Sequence, residues 1–141
     1  MRICVEFSEY CDHFEQEDGE YGSWGRSYSS TIDKVYKLKD KDNGPFNSET
    51  FLVPDNSSEV YVVYMFYDTG DSFGQETGRI DILHCSNNEE SANKLAKYIT
   101  DNSDEYTIKF VDDFGRAISI DNRGAGYFES ITNIEVKRYH I

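Results

Sequence analysis

Residues 2–8 alternate, with Ile3, Val5 and Phe7 set against Cys4, Glu6 and Ser8, and so predict a strand with one buried face. The next stretch, Cys11 to Gly25, is polar and carries Gly19, Gly22 and Gly25, which predicts a long turn or a ragged hairpin arm. Alternation returns over Arg26 to Leu38, a second strand. Asp42-Asn43-Gly44-Pro45 and Val53-Pro54-Asp55-Asn56 are turns by composition. The run Val60-Tyr61-Val62-Val63-Tyr64-Met65-Phe66-Tyr67 is apolar at both parities and predicts a central strand covered on both faces. A glycine-spaced loop, Thr69 to Gly78, then leads into its hairpin partner, Arg79 to His84.

One segment changes period. Ala92, Leu95, Ala96 and Ile99 form an apolar stripe at helical spacing, with Ser86 or Asn87 as cap and Glu89 or Glu90 completing a capping box. Glu90 and Lys94 stand four apart as a favourable pair. Three further strands follow: Tyr106 to Val111, Arg116 to Ile120 and Tyr127 to Tyr139. The expected fold is α+β: a mostly antiparallel sheet of about seven strands, with one helix at about 88–101 on one face. Residues 1–141 read as a single domain.

Composition agrees with strands, since Tyr (11) and Phe (9) are abundant. Met1-Arg2-Ile3-Cys4-Val5 is followed at once by acids, so no export signal is expected, and the longest apolar run is too short to span a bilayer. Cys4, Cys11 and Cys85 are odd in number and lack CxxC spacing, so they are expected to be free thiols in a reducing cytoplasm.

Charge adds the strongest constraint on function. Against 14 bases stand 27 acids, a formal net charge of −13. No Lys or Arg occurs between Arg2 and Arg26, or between Lys41 and Arg79. Such single-sign windows attract basic surfaces and repel nucleic acid and anionic membrane, so direct binding to either is not expected. The same acids are also what keeps a small protein soluble.

Motifs for chemistry are few. Asp40-Lys41-Asp42-Asn43-Gly44 fails the calcium-loop pattern, because glycine comes fifth and the twelfth residue is Phe51. His13, His84 and the cysteines lack paired zinc spacing. No metal or cofactor is expected, no nucleophile is indicated, and no residue is assigned a catalytic role. The most distinctive segment, Tyr67-Asp68-Thr69-Gly70-Asp71-Ser72-Phe73-Gly74-Gln75-Glu76-Thr77-Gly78, lacks a phosphate-loop lysine. It reads either as a plain hairpin connection with Phe73 in the core, or as a docking edge with Phe73 as anchor and Asp68, Asp71 and Glu76 facing a partner's bases. Glu15, Glu17, Asp18 and Glu20 form a second candidate edge.

The segment Tyr67 to Gly74, the strand after it, the Glu89 to Ile99 helix and the ending Gly126-Tyr127-Phe128-Glu129-Ser130 with Val136-Lys137 resemble small acidic uncharacterised proteins of tailed bacteriophages over residues 60–139. The resemblance implies a protein that binds and inhibits a host defence factor or enzyme in the bacterial cytoplasm. The expected function is therefore inhibition of a host protein with a basic groove, such as a nuclease, through an acidic surface that imitates nucleic acid. One alternative is a sponge for a small signalling nucleotide, with Arg26, Tyr28, Lys34 and Tyr36 as ligands. Another is a structural virion component, for which self-association into a homo-oligomer is expected.

Overall fold

The computed structural model describes residues 1–17, 23–70, 73–112, 114–122 and 131–141. Its elements run β1 (Arg2–Glu17), β2 (Ser23–Lys37), β3 (Ser48–Leu52), β4 (Glu59–Gly70), β5 (Gly74–Ser86), α1 (Glu89–Asp101), β6 (Thr107–Val111), β7 (Ala117–Asp121) and β8 (Ile131–His140). The fold is α+β and mostly strand, as the alternation predicts, but the expected single sheet of about seven strands is corrected to two sheets. Among the described residues six strands lie in the order β3-β1-β2-β5-β4-β8, and β6 pairs with β7 alone. Every pairing is antiparallel except the short parallel contact of β2 with β5.

β4 shows why a two-faced apolar run makes an interior strand. It is hydrogen-bonded between β5 and β8. Tyr61, Val63, Met65 and Tyr67 point to one face, where Ala92, Leu95 and Ile99 of α1 and Ile108 and Ile120 of the small sheet cover them. Val60, Val62 and Tyr64 point to the other, into a second core with Ile3, Val5, Val53, Ile80 and Ile82. The β1–β2–β3 strands therefore fold over the β4–β5–β8 strands, and the chain stacks strand layer, strand layer and helix layer.

The helix stripe packs as its spacing predicts, but its cap is corrected by two residues from Ser86 and one from Asn87. Asn88 has the extended backbone of a cap, and its side chain accepts from the Ser91 amide. The i,i+4 ion pair formed on this helix is Lys97–Asp101 at 2.8 Å, at the last turn rather than at Glu90–Lys94. The cysteines are free thiols, with Cys4 and Cys85 buried and Cys11 exposed. Burial pushes the Cys85 thiol up to about 12. No helix among the described residues is long and apolar enough to cross a membrane.

Candidate functional site

Of the two readings of Cys11 to Gly25, the described part is the hairpin arm, and Thr69, Gly70 and Gly74 to Gly78, read as loop, are strand. β1 and β2 pair from Ile3↔Lys37 out to Glu17↔Ser23, and β4 and β5 pair out to Gly70↔Gln75. Cross-strand hydrogen bonding carries the acidic and glycine-rich segments further than composition suggests. The second strands of the two hairpins then join in parallel, Trp24↔Gly74, Gly25↔Gln75, Arg26↔Glu76 and Ser27↔Thr77. Two candidate edges about fifty residues apart in sequence thus meet at one end of the sheet.

A polar clamp holds this junction. The Arg79 guanidinium on β5 donates to both carboxylate oxygens of Glu9 on β1, at 2.9 and 3.1 Å, and to Glu76 at 3.0 Å. Glu9 also accepts from the Ile80 amide at 3.2 Å. The Glu9 hydrogen bonds raise the Arg79 pKa above its ordinary value in spite of partial burial. The Tyr28 ring lies 5.0 Å from the Arg79 guanidinium carbon. Burial, then a hydrogen bond with Glu76, raises the Tyr28 phenol. Nearby, the Asp68 carboxylate accepts from the Gly78 amide at 3.0 Å. Gly78 has φ of +77° and sits against the Tyr28 carbonyl, where a Cβ would collide, so glycine is required there.

Beyond the clamp lies an aromatic ledge. Phe14 and Trp24 stack with centroids 6.5 Å apart, and the Arg26 guanidinium lies 4.8 Å from the Trp24 ring and 5.5 Å from Phe14. Trp24 rests on Gly74, whose missing side chain leaves room for the indole. Its amide donates to the Phe73 carbonyl at 3.0 Å. Phe14 is 51% and Phe73 57% exposed, so Phe73 is not a core residue and the core alternative is set aside.

The expected contact residues separate into groups. Phe73 and Glu15 are exposed, with Glu15 bonded to His13 at 2.9 Å. Asp68 and Glu76 lie in paired strands rather than an open loop, and both are engaged within the chain. Asp18, Glu20 and Asp71, and the side chain of Glu17, lie outside the described residues. The nucleotide set is not brought together. Arg26 and Tyr28 belong to the junction, whereas Lys34 stacks on Tyr36 at 5.1 Å beside Glu6 and Cys4, with a register shift intervening. Phe14 and Trp24 were not among the expected site residues. The visible signal was the chain's single tryptophan, set beside Arg26 at the end of a base-free acidic window.

Among the described residues no cluster of His, Cys, Asp and Glu has the arrangement to hold a metal ion. No protein-family model, curated protein or solved structure matches this chain.

Proposed function

We propose that this chain is a binding protein that docks a basic surface of a partner protein on the joined hairpin ends. The observation carrying this reading is the parallel pairing of Trp24–Ser27 with Gly74–Thr77, which sets Phe14, Trp24, Arg26 and Phe73 side by side at the margin of two base-free windows. Exposed Trp, Phe and Arg held rigidly are the residue types that anchor interfaces. The surrounding negative charge supplies long-range attraction to a basic partner. The likeness to small phage proteins supports a bacterial setting, in which the partner is a host nuclease or other defence factor and docking imitates nucleic acid in its groove. Both the phage source and the cytoplasmic site of action are part of this proposal.

Arg26 favours a second reading. Among the described residues it forms no ion pair, and a planar anionic ligand such as a nucleotide would suit its stacked guanidinium.

Capture from bacterial lysate with wild type, Phe73→Ala and Phe114→Ala separates these readings. The docking proposal expects one basic protein held by wild type and Phe114→Ala and lost by Phe73→Ala. A co-purifying nucleotide with no protein partner would replace it with the second reading.

A further inference from the structure

β8 is ten residues long and forms the edge of the main sheet, hydrogen-bonded to β4 alone among the described residues. An open edge of that length presents a row of backbone donors and acceptors to a further strand. Both cores reach it incompletely covered. Ile131, Ile134 and Val136 are half-buried against the helix-side core, and Tyr139 and Ile141 against the other. A groove of about 340 Å³ runs beside the start of β8, between Thr100 and Ser103 of the helix end and Ile131–Ile134.

The charges on this edge identify its occupant. Glu135 and Lys137 are both exposed, and neither forms an ion pair among the described residues. Glu135 accepts from the Tyr64 hydroxyl at 2.6 Å and the Asn133 amide at 2.8 Å, and Lys137 lies over the Tyr139 ring at 5.4 Å. Glu135-Val136-Lys137 is self-complementary in one arrangement. Antiparallel pairing about a two-fold axis at Val136 puts Glu135 opposite Lys137 of the second copy, twice over. Directly opposed residues lie on one face within reach of each other, so two ion pairs form on one face while Val136 meets Val136 on the other. Local charge agrees. In a chain of net charge −13, residues 131–141 carry Glu135 against Lys137 and Arg138, one of the few stretches where a second copy is not repelled.

We propose that β8 pairs with β8 of a second copy of this chain, centred on Val136, to form an isologous dimer with one continuous sheet. Docking at the hairpin ends does not depend on it.

The test is solution mass by light scattering and sedimentation, with charge-swap variants. Wild type is expected at twice 16.3 kDa at micromolar concentration. Salt screens both the repulsion between two acidic chains and the two Glu135–Lys137 pairs, so wild type and variants are compared at one moderate ionic strength. Glu135→Lys alone and Lys137→Glu alone each oppose like charges and are expected to be monomers. An equal mixture of the two restores both pairs and should return the dimer mass. Val136→Cys in a Cys11→Ser background gives an independent reading, since opposed positions should crosslink on mild oxidation. A monomeric wild type at moderate ionic strength, single variants that dimerise like wild type, or a mixture that stays monomeric would each overturn the proposal. If a variant unfolds, the crosslink decides: its absence overturns the pairing.

Discussion

The Trp24 indole occupies the space that a side chain at Gly74 would fill. This contact joins the two hairpins at the start of their parallel pairing, where Trp24 and Gly74 are register partners. Gly74→Ala should push the indole off its seat and disturb the stack on Phe14 and Arg26. The expected cost is about 1–3 kcal/mol, as for other overpacked contacts. Because Trp24 is the only tryptophan, its emission reports on this joint alone and should shift to the red. Unchanged emission and melting would contradict the arrangement.

Arg79 is the second fastening. Replacing it with Ala leaves Glu9 and Glu76 facing each other without a cation. Removing one partner of a buried pair costs about 3–5 kcal/mol, and the partial exposure of Arg79 reduces this to about 2–3 kcal/mol. Denaturant unfolding measures the loss. Arg79→Lys should recover only part of it, since a lysine cannot bridge Glu9 through two parallel bonds.

Asp112 gives the small sheet a pH dependence. Burial opposes its charge, but hydrogen bonds from the Arg116 and Phe114 amides and the Arg116 guanidinium hold its pKa below the usual 3.8. A depressed folded pKa contributes stability above the unfolded value, and that stability is lost as pH falls through the folded one. Amide exchange in β6 and β7 should therefore speed up as pH drops below about 4, after correction for intrinsic rates. Asp112→Asn should be less protected at neutral pH and should lack this dependence.

Several elements are legible in the sequence because their side chains are buried in a periodic way. Val60–Tyr67 announces its two covered faces, and Ala92, Leu95 and Ile99 announce the helix. β3 is missed for the opposite reason: Ser48-Glu49-Thr50-Phe51-Leu52 is a short edge strand in which only Ser48 and Phe51 are half-buried, so no alternation marks it. The outer half of the first hairpin is legible only as one of two readings and that of the second is missed, because Glu15, Gly25, Gly70 and Gly74 have poor strand propensity, which cross-strand pairing overrides. The junction itself is long-range. Nothing local in Trp24-Gly25-Arg26 or Gly74-Gln75-Glu76 marks them as neighbours.

Val63 tests the two-layer core. It is fully buried against α1, so Val63→Asp buries a charge with no partner and should cost about 4 kcal/mol or more, leaving little folded protein. Soluble protein with a wild-type melting curve would contradict the position of β4.

The central claim is that the joined hairpin ends are the docking surface. The most direct measurement is the association rate of the captured partner with wild type, a Phe14→Ala, Glu15→Lys, Phe73→Ala triple variant and the Phe114→Ala control, across a salt series. We expect the wild-type on-rate to fall steeply with salt. We expect the triple variant to lose at least an order of magnitude in affinity while folding normally, and Phe114→Ala to match wild type. Equal binding by the folded triple variant, or an on-rate indifferent to salt, would contradict the account.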